Sequence, residues 1–330
     1  MLDAKLSNKI KLASFFATVM VVYRHSLNYL AFFNSYSGEG INGWVQDGIM
    51  RLTQVAVPYF FIISGFFFFR KNYYMHRKWF EMLNVKFHTL FIPFAIWNVI
   101  GLLTLILTHQ DYSISFHDFI ISEWYGPLWY VRDLMTYMLL IPLYQWLFIS
   151  QKNFLPVRVI RLILFIAVSV LVFRWTPVDT QWVSSEGMLF FVIGGVLQNN
   201  SELLHKRLPK YWLGTISCIW LLLSFHSLHF IVLQKLNIIV GIISFWGVLD
   251  YLESKTIDRL IPYSFIIYVL HFYLIKIMKI GLSKLFYANE LVSLFAYILL
   301  PLLCSALIIV LAKIMQKYLP KFYRIATGGR

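Results

Sequence analysis

Charge is what this chain has least of. Charged residues make up 13% of its 330 residues while hydrophobic ones make up 59%, against about 25% and 45–50% in a soluble domain, so a water-soluble globular protein is excluded. There are two cysteines, Cys218 and Cys304, both inside apolar runs. Here they read as small hydrophobes, which excludes a disulfide framework and a cysteine-based metal site. There is no CxxC, no HExxH, no glycine-rich phosphate loop and no fixed-period repeat. Built-in metal or cofactor chemistry and solenoid architectures are therefore not expected. No polar linker is long enough to tether a soluble module, so residues 1–330 read as a single membrane-embedded domain.

What the chain does have is apolar length. Its mean hydropathy is +0.69, and crossing a bilayer as helix takes about 17–25 residues. Ten such stretches fit: Lys11 to Phe33, Gln46 to Phe69, Asn84 to Thr108, Pro127 to Phe148, Pro156 to Phe173, Trp182 to Leu197, Tyr211 to Phe225, Ile231 to Tyr251, Arg259 to Ile280 and Leu291 to Met315. The expected fold is all-α, a polytopic bundle of about ten transmembrane helices. The first stretch is too long, and ends too aromatic, for a cleavable signal, so it is expected to stay as an anchor.

The formal net charge is +14, which in a soluble protein would point to nucleic acid. Its distribution points to topology instead. The N-terminus and alternate loops hold twenty of the 29 basic residues, with Arg70, Lys71, Arg77 and Lys78 in one loop. The opposite side holds five, Arg174, Lys235, Lys276, Lys279 and Lys284. This asymmetry puts both termini in the cytoplasm and gives the basic residues anionic lipid as partners, with nucleic acid excluded. Basic and aromatic residues share the segment from Arg70 to Leu83, which suits a helix lying at the interface.

Ionisable groups inside hydrocarbon cost roughly 2.5–3.5 kcal/mol each and mark a polar cavity or a reaction site. Arg24 and His25 fall inside the first span, about 21 Å along it for His25 at ~1.5 Å per residue. Asn98 comes at a comparable depth on the third, and His271 near the middle of the ninth. Arg132, Asp133 and Glu186 fall near the outer ends of the fourth and sixth, and Arg51 near the outer end of the second. One water-filled cavity serving all of them is the economical expectation.

Six motifs occur in order: "VVYRHS", "VPYFFIISGFFFF", "FIPFAIWN", "PLWYVRDL", "FFVIGGVL" and "SFIIYVLHFYL". Together they resemble the acyltransferase family 3 membrane proteins over nearly the whole chain. That resemblance implies an enzyme of the bacterial cytoplasmic (inner) membrane that moves an acetyl group from acetyl-CoA to a sugar hydroxyl of a cell-surface polysaccharide, lipopolysaccharide or lipid-linked precursor. His25 matches the family's essential first-helix histidine. Eleven residues earlier, where relatives carry arginine, stands Ser14, with Lys11 as the nearest positive charge. Gln54 replaces another common arginine, with Arg51 one turn away.

Acyl transfer to a hydroxyl needs a base, an oxyanion donor and a site shielded from water. His25 is expected to be the base, Arg24 or Arg132 to stabilise the oxyanion, and Glu186 or Asp133 to orient the imidazole or the sugar. Trp129 and Tyr130 offer a stacking face for the sugar, and Asn98, His271 and Arg51 complete the expected substrate contacts. Lys86, Arg77 and Lys78, with Lys11 and Ser14, are the expected donor-binding set for the coenzyme A phosphates. Transport or export through the same polar path is the alternative, against which stands the absence of paired interrupted helices in the sequence.

Overall fold

The computed structural model describes residues 3–73, 76–107, 128–148, 157, 160, 185–226, 231–252 and 258–329. Their regular structure is all helical, with no strand among them. Among the described residues, five helical stretches are long and apolar enough to cross a membrane: Gly40–Phe68, Arg77–Thr104, Leu233–Tyr251, Ile261–Leu285 and Glu290–Tyr318. Nearly all of the predicted fifth span lies outside the described residues. The chain forms two compact units, one of Met1–Phe60 with His205–Pro320, the other of Phe61–Leu204 with Lys321–Arg330.

In the first unit, α1 (Ala4–Arg24) starts at Asp3, whose carboxylate accepts the Leu6 amide at 2.7 Å, an N-cap of ordinary form. Leu6, Ile10, Ala13, Ala17 and Val21 recur at three and four residues and are buried, one stripe of a helix packed on its neighbours. After a break comes α2 (Tyr29–Phe33), then α3 (Gly40–Leu52) and α4 (Ala56–Phe68), joined through a tight turn at Thr53–Val55. The predicted first span is therefore two helices.

The same unit takes in α10 (Lys210–Phe225), α11 (Ile231–Val248), α12 (Ser264–Leu285) and α13 (Glu290–Tyr318). α1 packs against α12, α13 and α3. Pro301 sits inside α13 and lacks the amide that would continue the ladder. One turn away, the Tyr23 hydroxyl donates to the Ile298 carbonyl at 2.9 Å, and the Ser305 hydroxyl to the Pro301 carbonyl at 2.8 Å. Lys9, one of the basic residues of the N-terminal stretch, is buried: its ammonium lies 2.7 Å from Asp250 and 4.2 Å from the centre of the Trp246 ring.

The second unit begins within α4 and holds α5 (His76–Lys86), α6 (Ile92–Leu107), α7 (Trp129–Leu139), α8 (Ile141–Phe148), α9 (Ser185–Asn199) and α14 (Pro320–Ala326). α4 and α9 meet backbone to backbone. A Cβ at Gly65 would strike the Phe191 carbonyl, and one at Gly194 the Ile62 carbonyl, the close approach that small residues permit between membrane helices.

The segment expected at the interface is continuous with the third span. α5 runs through a π turn at Phe87–Phe91 straight into α6, and no glycine or proline interrupts it before Pro93. The wide turn, in which the Ile92 amide donates to the Phe87 carbonyl, immediately precedes a proline whose ring would crowd the Thr89 carbonyl of a regular helix. α14 closes on this region. The Trp97 indole donates to the Ala326 carbonyl at 2.9 Å. Gly328, at φ 68°, lies so tightly over the Thr89 carbonyl that any Cβ would collide with it, a place only glycine fills without strain.

Candidate active site

α1 stops where its sequence turns polar, at "RHSLN". Ser and Asn offer the backbone bonds that compete with the helical ladder, and here Ser26 takes the Tyr23 carbonyl with both its amide, at 3.0 Å, and its hydroxyl, at 2.6 Å. The His25 amide still donates to Val21 at 3.2 Å. That leaves the carbonyls beyond the helix end. Lys279 of α12 donates to two of them, His25 at 2.9 Å and Leu27 at 2.7 Å. A cation at a helix C-terminus meets both orphan carbonyls and the negative end of the dipole.

The far side of the break is held by amides. The Asn28 amide donates to Gln46 Oε1 at 3.3 Å, and its carbonyl accepts from Phe32 as α2 begins, at 3.0 Å. Asn28 Oδ1 accepts from Gln46 Nε2 at 2.9 Å and from the Ser293 hydroxyl at 2.8 Å, while its Nδ2 donates to the Ser293 carbonyl at 2.8 Å. Asn42 completes the set, accepting from Gln46 at 2.8 Å and donating to the Ser293 hydroxyl at 3.0 Å. All four residues are buried. Non-helical backbone at membrane depth persists only where protein or water satisfies it; here Gln46 of α3 and Lys279 of α12 reach the backbone of the break, and Ser293 of α13 holds the Asn28 side chain.

The break carries the histidine. The His25 ring stands 5.2 Å, centre to centre, from that of His271 on α12 and 5.5 Å from Phe272, which meets it edge-on. His25 is partly exposed, while His271 is 0% exposed. Nδ1 of His271 faces the carbonyls of Tyr268 at 2.7 Å and Ile267 at 3.2 Å. Carbonyls only accept, so Nδ1 bears the proton and Nε2 the lone pair. That Nε2 is buried and has no hydrogen-bond partner among the described residues.

His25 and His271, both candidates from the sequence, stand next to each other in the structure. Sequence reasoning missed Lys279, Gln46, Asn42, Asn28 and Ser293. Lys279 had been assigned to the loop-side charge count, and its distance of 254 residues from His25 in the chain gave no pairing signal. Asn28 carried a legible cue: an asparagine three residues past a histidine, ahead of "YLAFF", is a helix-start residue.

The other candidates of this unit fall as follows. Arg24, the last residue of α1, is exposed. Arg51 donates from Nε to the Ser224 carbonyl near the end of α10 at 2.6 Å. Ser14 bonds back to the Ile10 carbonyl of its own helix at 2.8 Å, and Lys11 is exposed.

In the second unit, Trp129 and Tyr130 open α7 and lie 6.2 Å and 4.7 Å from the Phe61 ring, with the Tyr130 hydroxyl 3.0 Å from that of Ser64. Next to them Arg132 pairs with Asp133, whose side chain is 0% exposed, at 3.1 Å. A fully buried carboxylate is retained only when such a partner neutralises it. Asn98 is buried on α6. Lys86 ends α5 with its ammonium 5.1 Å from the centre of the Phe68 ring. Arg77 and Lys78 are exposed on the first turn of α5, Arg77 pairing with Glu81 at 3.0 Å. Glu186 belongs to the first turn of α9, and its side chain lies outside the described residues.

A helical membrane protein with a histidine held at a side-chain-lined break is the architecture the chain defines. The sequence model of acyltransferase family 3, described as an acyltransferase domain, matches residues 8–310. The chain belongs to this family and is a membrane acyltransferase. No curated protein and no solved structure matches it.

Proposed function

We propose that the protein is a membrane O-acetyltransferase that moves acetyl from acetyl-CoA to a sugar hydroxyl of a cell-surface polysaccharide or its lipid-linked precursor, in the bacterial cytoplasmic membrane, with His25 as general base. The observation that carries this is the break itself. Its backbone groups are met by Lys279, Ser26 and Gln46, so the ring of His25 is not needed to hold the fold there and remains available for proton transfer.

The reaction balances without a metal. His25 takes the proton of the sugar hydroxyl, the hydroxyl oxygen bonds to the acyl carbon, the carbon–sulfur bond breaks, and the proton passes from His25 to the departing thiolate. General-base assistance of this kind contributes roughly 10²–10⁴-fold. Arg24, adjacent in sequence to the base, supplies the positive charge for the developing oxyanion, and Glu186 assists in orienting the reacting groups.

Trp129 and Tyr130 form an aromatic pair suited to the apolar face of a sugar, and the Arg132–Asp133 pair beside them offers donors and acceptors for hydroxyls. Asn98 and Arg51 serve as further substrate contacts. For the donor, the exposed cations Arg77 and Lys78 on α5, with Lys86 at its end, match the charge of the coenzyme A phosphates. Lys11, exposed on the first unit, is a further cation proposed for the donor, and Ser14 has its hydroxyl committed to its own helix.

The test is incorporation of labelled acetyl into the glycan fraction of membranes supplied with labelled acetyl-CoA. His25→Ala is expected to abolish incorporation at unchanged protein level. Full incorporation by that variant would overturn the assignment of the base. Incorporation from another acyl-CoA but not from acetyl-CoA would overturn the donor.

A further inference from the structure

We propose that His271 is the positioning residue for His25: its Nε2 receives one N–H of the His25 imidazole and leaves the other His25 nitrogen bare to take the hydroxyl proton. This rests on the reading of His25 as the base and adds the group that orients it.

The support is geometric. Two carbonyls one turn back on α12, those of Tyr268 and Ile267, hold His271 Nδ1 as a donor. The opposite nitrogen is therefore an acceptor, enclosed and without a partner among the described residues. An enclosed acceptor left empty is costly and calls for a donor. The His25 ring stands 5.2 Å away, centre to centre, and is not hydrogen-bonded to that nitrogen in this structure; an N–H···N bond of about 3 Å between two imidazoles places their centres about 5 Å apart, so a turn of the His25 ring at nearly this spacing forms the bond.

The groups around His25 leave His271 as the side-chain acceptor in this role. Phe272 presents a ring edge. Lys279 and Arg24 are cationic donors with no lone pair to offer. No carboxylate forms an ion pair or a hydrogen bond with His25 among the described residues. In a Ser-His-Asp triad a carboxylate fixes the tautomer of the base. Here a neutral imidazole does so without placing an anion in the membrane. When His25 takes the hydroxyl proton the shared bond becomes charge-assisted and strengthens. Once the thiolate has claimed the proton it relaxes, and His271 ends the cycle as it began.

The experiment compares His271→Ala with His271→Gln in the full chain, in membranes, reading the maximal rate and the KM for acetyl-CoA of acetyl incorporation into membrane glycan. Glutamine places an acceptor oxygen near the position of Nε2. His271→Ala is expected to lower the maximal rate on the order of 10²-fold with KM within about threefold of wild type, and His271→Gln to recover on the order of tenfold of that loss. Should His271→Ala fail to accumulate, His271→Met against His271→Gln gives the same comparison.

A rise in KM at unchanged rate would make His271 a substrate contact and overturn the proposal. Equal rate losses in the alanine and glutamine variants would make it structural. An unchanged rate in His271→Ala while His25→Ala is inactive would show that His25 needs no orienting partner. Activity in both variants would remove His25 as the base and take the proposal with it.

Discussion

At two of the places where an apolar helical stretch loses its regular ladder, Phe87–Phe91 and His25 to Asn28, the physical reasons differ. At Phe87–Phe91 the disturbance is local. A proline follows two residues later, the chain widens by one residue to accommodate it, and the Thr89 and His88 side chains bond back within their own helix at 3.0 Å and 2.9 Å. At His25 to Asn28 no proline forces the break. It is held by side chains from three other helices, one of them a lysine whose ammonium has been brought to two carbonyls. The first interruption follows from backbone sterics. The second is assembled from distant residues at the cost of burying polar groups, which is the ground for proposing the site there.

That contrast fixes what substitutions should do. Lys279→Met has the largest expected effect among them, because it leaves the His25 and Leu27 carbonyls unsatisfied at about 1–3 kcal/mol each. Thermal unfolding in detergent should fall by several degrees and acetyl transfer by an order of magnitude or more, with Lys279→Arg regaining part of both. If Lys279→Met leaves stability and transfer as they were, the break is not held in the way described here.

Gly328→Val comes next. It combines a left-handed backbone with a collision against the Thr89 carbonyl, so a loss of about 1–3 kcal/mol is expected. The effect should be read in thermal unfolding. Transfer at permissive temperature should change little, because this contact is no part of the proposed site. A large loss of transfer at full stability would join the π turn to the chemistry and erase the distinction between the two interruptions. Pro93→Ala is the smallest. Restoring an amide just after a turn already bonded within itself should shift stability by less than about 1 kcal/mol and transfer by less than about twofold, measured in the same two assays.

The sequence carried the fold class because it is written in short-range terms: apolar runs long enough to cross a bilayer and basic residues on alternate loops. It offers His25 as a candidate for the same reason, since an ionisable residue inside such a run is visible locally. What holds His25 was not legible. Gln46, Lys279 and Ser293 come from helices remote in the chain, and each had a simpler local reading: a polar residue near a span end, a loop-side charge, a small hydroxyl in a helix. From His76 on, the helix expected at the interface over Arg70 to Leu83 is α5, which runs on into the third span, because an amphipathic charge pattern does not show whether a helix continues into an apolar one. Likewise the break at Ser26 and Asn28 was hidden by the apolar residues on both sides, which satisfy a length criterion whether or not the backbone is continuous.

The most direct test is the fate of labelled acetyl when His25 alone is changed. Membranes containing His25→Ala and wild-type protein at equal amounts, with matched unfolding temperatures, would be given labelled acetyl-CoA and their glycan analysed by mass. Acetylated glycan from the wild type and none above background from the variant is the predicted result. Acetylated glycan at wild-type yield from His25→Ala would contradict it, and the break in the first helix would then have to be explained without catalysis.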